Sequence, residues 1–148
     1  MAKGYKFSLE KLLEIRQDKE EESKREFTES KKAKVNTENE LNNLNECYEK
    51  YKGIKPGEDV IYQKVKRSYL AALNVGIKQK TKELKIKEKE LEIKRQELAK
   101  RQVERKTVSR LKEKGYASFI KEQDRIEQLN NDEFALYAYM RKSKGGEV

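Results

Sequence analysis

The sequence predicts an all-α protein, a long antiparallel two-helix coiled coil forming a helical hairpin with unequal arms, and three observations predict it. Apolar residues recur at spacings of three and four along most of the chain. One cluster of helix breakers, Gly53-Ile54-Lys55-Pro56-Gly57, divides the chain unevenly. Only 34% of the 148 residues are apolar while 43% are charged, too little for a layered core but enough for one seam. The single proline and seven glycines argue against disorder, since disordered polar chains tend to be rich in both. Lysine, glutamate, leucine, arginine and glutamine are abundant, and they lose little side-chain freedom in a helix.

The first helix is expected over about residues 8–52. Ser8 offers an N-cap before Leu9-Glu10-Lys11-Leu12, with Phe7 and Leu12 placed as a hydrophobic staple. A heptad seam then runs through Leu9, Leu13, Arg16, Glu20, Ser23 and Phe27, and on through Ser30, Lys34, Thr37, Leu41, Leu44, Tyr48 and Tyr51. Its ends are apolar and its middle polar, so pairing should be weakest around residues 16–23 and 30–37. The turn is expected at 53–59, with Asp59 capping a second helix over about residues 60–141 and a flexible tail at 142–148, all within a single coiled-coil domain, 1–148.

In the second helix Leu70, Ile77, Leu84, Leu91 and Leu98 recur every seven residues, with Leu73 between them. After Leu98 the register is expected to slip to a second row, Val108, Leu111, Phe119, Ile126, Leu129, Leu136 and Met140. Gly76 and Gly115 are the points where this helix could kink. At 1.5 Å per residue the arms would span about 67 Å and about 120 Å. A fold-back at 53–57 sets Leu9 opposite roughly residue 101, leaving the later apolar row in need of a partner.

The formal charge is +9, which favours acidic partners: nucleic acid, an anionic membrane surface or an acidic protein surface. Residues 8–52 hold ten Lys and Arg against twelve Asp and Glu, whereas residues 78–114 hold fifteen against seven. Opposite signs on the two arms favour their pairing. The basic stretch lacks the interleaved aromatics of base-stacking proteins; a basic rod that binds phosphate backbones is the alternative of a different class, and steep salt dependence would distinguish it. With no run of eighteen apolar residues and no apolar signal core, the expected compartment is the cytoplasm. The single Cys47 excludes an internal disulfide framework and fits a reducing environment.

No enzyme, cofactor or metal site is expected. Histidine and tryptophan are absent, and no phosphate-binding loop, dinucleotide fingerprint or nucleophile elbow occurs. Glutamates such as Glu88, Glu90 and Glu92 read as a solvated helix face. Tyr48, Tyr51, Tyr62 and Tyr69 flank the turn and either seal the end of the hairpin or form an aromatic docking patch.

The opening Phe7-Ser8-Leu9-Glu10-Lys11-Leu12-Leu13-Glu14-Ile15-Arg16 resembles the flagellar FliJ family. So do the segment Val108-Ser109-Arg110-Leu111-Lys112-Glu113-Lys114 and the closing Gln128-Leu129-Asn130-Asn131-Asp132-Glu133-Phe134-Ala135. Family members often carry glutamate where this chain has Ser109. The resemblance implies a coiled-coil stalk of the flagellar type III export apparatus, similar to rotary ATPase shafts. It would enter the hexameric flagellar export ATPase, promote its activity and touch the cytosolic domain of the export gate. Export chaperones are further candidate partners, and nucleic acid is not among them. The place implied is cytoplasmic, peripheral at the inner face of the membrane through the export machinery. For the ATPase contact the expected residues are Arg101, Arg105, Val108 and Leu111. The family's gate motif falls on Tyr69, Leu73, Gly76 and Lys80, where Gly76 and Lys80 depart from the usual pattern. The equivalent stalk of a virulence secretion system shares the same physics.

Overall fold

A computed structural model describes residues 4–146 of the chain. The described residues form two α-helices and no strand: α1, Glu10–Tyr51, and α2, Val60–Lys144. They pack antiparallel as a helical hairpin of unequal arms, 42 and 85 residues. Two compact units divide the chain, one built from the segment up to Gln17 with the stretch from Val103 onward, the other spanning Asp18–Gln102.

In the Asp18–Gln102 unit the expected seam is the packed face. Glu20, Ser23 and Thr37 are buried and Phe27, Ser30, Lys34, Leu41, Leu44, Tyr48 and Tyr51 half-buried on α1. Leu73 is buried opposite, with Leu70, Ile77, Leu84, Leu91 and Leu98 half-buried. The α1 and α2 arms are tied by Lys80 to Glu40 and by Lys94 to Glu26 at 3.0 Å, each bridging the acidic helix to the basic one. Such half-exposed pairs contribute little net stability, and they mark the register of the two arms.

The turn follows the breaker cluster. Gly53 and Gly57 adopt φ of 83° and 86°, a region other residues rarely enter. The carbonyl of Asp59 accepts the first hydrogen bond of α2 from the Gln63 amide at 2.9 Å, the N-cap position expected from sequence. Tyr51 meets Tyr69 edge-on at 5.5 Å between ring centroids, so residues 52–59 double back beside the first turns of α2 before the helices pair.

That loop shifts the register. Glu40 faces Lys80 and Glu26 faces Lys94; in the terminal unit Glu10 binds Lys112 at 2.8 Å. Leu9 therefore lies roughly ten residues further along α2 than the expected position near 101.

In the terminal unit the cap also differs from expectation. The first helical hydrogen bond of α1 runs from the Leu13 amide to the Leu9 carbonyl at 2.9 Å, and the Glu10 amide donates to the Phe7 carbonyl at 3.3 Å. Leu9, at the mouth of the helix, replaces Ser8 as the capping position. Ahead of it the chain lies along α2. The Tyr5 hydroxyl donates to the Lys112 carbonyl at 3.2 Å, and its ring packs against Tyr116 and Phe119 at 5.6 and 5.5 Å. A side chain at Gly115 would overlap the Tyr5 hydroxyl, so this glycine makes room for the tyrosine inside an unbroken helix.

Val108 and Leu13, 2% and 4% exposed, are the centre of this unit. The Arg16 guanidinium donates to the Glu104 carbonyl at 2.9 Å, bringing a charged seam residue to a backbone acceptor. The expected slip after Leu98 does not occur: positions 105, 112 and 119 continue the same seven-residue row. Arg105 and Lys112 occupy it in place of leucine, which hides the phase. Leu111 lies off the row and is about half exposed.

From residue 121 to 146 every residue is exposed. The helix continues to Lys144, and the Gly145 amide closes it onto the Arg141 carbonyl at 3.1 Å. Residues 147 and 148 of the expected tail lie outside the described residues.

Candidate partner-binding faces

No side chain among the described residues is buried to below 2% exposure, and the recesses described below are open grooves along the helices. No described group of acidic, cysteine or histidine side chains could hold a metal ion, and no described helix is long and apolar enough to cross a membrane.

In the Asp18–Gln102 unit, the gate residues named from sequence follow one α2 face. Tyr69 is half exposed, its hydroxyl pKa raised by partial desolvation and by the neighbouring Cys47 thiol. Leu73 is buried against α1, and Gly76 lies beside the Leu44 side chain. Lys80 is held by Glu40 and by Glu83 at 3.1 Å; hydrogen bonds to these carboxylates, Glu40 first, raise its pKa. Tyr69 presents the largest free surface of the four, while the others serve the hairpin's own seam.

Arg101 lines an open groove of about 490 Å³ with Lys19, Glu22, Ser23, Glu26 and Lys94 among its walls. Lys94 in that groove has a raised pKa, chiefly from its hydrogen bond to Glu26. The buried Ser23 hydroxyl has no hydrogen-bond partner. Arg101 itself is half-buried and engaged by neighbouring groups.

The turn carries a second recess of about 400 Å³, with Gly53, Ile54, Glu58, Val60 and Leu70 in its lining. Its polar anchor is the Lys66–Glu58 pair at 2.9 Å, whose side chains are only 7% and 12% exposed. That hydrogen bond holds the Glu58 carboxyl below the usual range despite desolvation. Sequence reasoning missed this pair, because Glu58 lies in the loop, outside any periodic pattern. The tyrosines divide: Tyr48 and Tyr51 are half-buried toward the seam, whereas Tyr62 is about half exposed.

In the terminal unit, Arg105 is half-buried and engaged by neighbouring groups. Val108 belongs to the intramolecular seam, and Leu111 is exposed. The uncovered length of α2 presents Ile126, Leu129, Leu136 and Met140, which continue the seam phase with no α1 residue over them. Phe134, Tyr137 and Tyr139 are also exposed beside this row. Glu122 and Arg125 pair at 2.7 Å on the same stretch, each stabilising the charged form of the other.

These features define an all-α helical-hairpin protein whose exposed side chains are displayed along its helices. The family model for the flagellar FliJ protein matches residues 5–144. The chain belongs to the FliJ family and is thereby a flagellar export component. No curated protein and no solved structure matches it.

Proposed function

We propose that the protein is a non-enzymatic stalk that inserts into the hexameric flagellar export ATPase, promotes its activity and contacts the export gate. The observation that carries this reading, within the shown family, is the stretch of α2 beyond residue 120. There a seam-phased apolar row, Ile126, Leu129, Leu136 and Met140, has no covering helix. A stalk that makes different contacts with differently loaded subunits shifts their conformational populations, and so favours turnover without doing chemistry itself. Arg101, Arg105 and Leu111 are the proposed ATPase contacts, while the buried Val108 belongs to the helix seam of the terminal unit. Tyr69 is the leading gate contact, and Leu73, Gly76 and Lys80 shape the helix face beside it. The protein would act in the cytoplasm, peripheral to the membrane-bound machinery, with export chaperones as further partners.

The test is ATP hydrolysis by the purified hexamer with and without the protein. Stimulation is expected from the parent, and loss of stimulation from Ile126→Glu with Leu129→Glu, and from Arg101→Glu with Arg105→Glu. Tyr69→Ala should leave stimulation intact and weaken binding to the gate's cytosolic domain. Folded variants that all stimulate as well as the parent would remove the stalk reading.

A further inference from the structure

Most of the exposed aliphatic residues of α2 within the Asp18–Gln102 unit share one face. Ile61, Val65 and Val75 are each more than half exposed and fall on the two heptad columns that face away from the α1 seam; Ile86 and Ile93 lie further along the same columns, separated from them by Gln79, Lys82 and Lys89, and the exposed Val60 lies off them. Ser68 and Ala72, also exposed, complete the alternation of four and three between Val65 and Val75. A helix with one packed seam ordinarily carries polar residues opposite it. Here, from Ile61 to Val75, the opposite face repeats the spacing of a second seam, with the small Ser68 and Ala72 at its middle.

Its borders are unlike each other. Along one flank stand Lys64, Arg67 and Lys78, none of which has an acidic partner among the described residues. Along the other stand Tyr62 and Tyr69. From Val60 to Lys82 the helix contains no acidic residue at all, the first being Glu83. We infer that this outward stripe is a docking seam for a third helix, an amphipathic helix of another protein whose apolar face is bordered by Asp and Glu.

The charge pattern selects that occupant. Two copies of this face would set cations against cations with nothing to neutralise them. A bilayer surface would be met by serine and alanine at the stripe's middle, whereas helices that lie in membranes place large apolar residues there. An acidic-bordered helix satisfies Lys64, Arg67 and Lys78 while burying the stripe, and the tyrosines offer interface surface on the far side.

The experiment uses the full chain and two synthetic probes of about four heptads, both with leucine at the seam positions, one bordered by glutamate and the other by lysine. Fluorescence anisotropy should show the glutamate-bordered peptide binding about tenfold or more tightly than its twin. Ala72→Glu should remove that binding with unchanged helical circular dichroism, and Lys64→Glu with Lys78→Glu should reverse the preference between the peptides. Ile126→Glu should leave both results unaltered.

Equal binding of the two peptides overturns the proposal, as does loss of binding through Ile126→Glu instead of Ala72→Glu. Self-association of the chain that Ala72→Glu abolishes would assign the stripe to a second copy. Binding to phosphatidylserine vesicles that Ala72→Glu abolishes, without peptide binding, would assign it to a lipid surface.

Discussion

Leu13→Ala is the sharpest probe of how the terminal unit is held together. Leu13 is 4% exposed and belongs with Val108 among the three buried apolar side chains of the described residues. Truncation removes most of a buried isobutyl group, and leucine-to-alanine changes in cores cost about 2–5 kcal/mol. Along a two-helix seam the vacated space opens to water, so the low end applies, about 2–3 kcal/mol. At 1.4 kcal/mol per tenfold this raises the local opening equilibrium roughly 30- to 140-fold. Amide hydrogen exchange followed by mass spectrometry reads it directly, as faster exchange in residues 10–17 and 104–119. Protection at 40–51 and 69–80 should stay near the parent's. An equal loss at both places would refute the reasoning, because the hairpin would then open as one cooperative body. No loss at 104–119 would show that Leu13 does not hold α2.

Three further outcomes are expected. Ser23→Ala removes a buried hydroxyl without a partner and favours the helix, so the thermal midpoint should rise by the equivalent of about 1 kcal/mol; a fall would mean that the hydroxyl is satisfied in solution. Gly115→Ala gains about 1 kcal/mol of helix propensity but displaces the Tyr5 hydroxyl. Overall stability should barely change, while nuclear Overhauser contacts between Tyr5 and Phe119 disappear. The Glu58 carboxyl titrates below its ordinary value because Lys66 favours its charged form. Its contribution is therefore present above about pH 4.5 and is lost as pH falls through the lowered value. Exchange protection of residues 58–66 should decline on acidification, and Glu58→Gln should flatten that decline.

The seam was legible from periodicity alone: from Leu13 to Tyr51 each of its positions on α1 is buried or half-buried. Spacing decides which face packs, even where Glu20, Ser23 and Thr37 occupy it. The register was not legible, because a breaker cluster shows where a helix stops and says nothing of how far the following loop doubles back. The apparent slip after Leu98 had a similar origin, since Arg105 and Lys112 carry the phase without carrying hydrophobicity. Tyr5 escaped notice because a short non-helical segment has no period. Of the site residues, Leu73, Gly76 and Lys80 lie on the same face as the seam, where a motif alone gives no warning of intramolecular use. The outward stripe of α2 was present in the sequence throughout, but only its exposure in the folded hairpin sets it apart from residues of the packed seam.

The scarcity of buried side chains bears on how such a sequence can change over time. Leu13, Leu73 and Val108 are the apolar residues buried among those described; most other positions meet water on at least one side. At exposed sites, substitutions away from special contacts usually alter stability by less than about 0.5 kcal/mol. A chain built this way tolerates turnover at most positions provided the alternation of three and four is kept. Its heritable constraint is therefore a rhythm of residue classes, and a saturation library should recover that rhythm long after the individual letters have been lost.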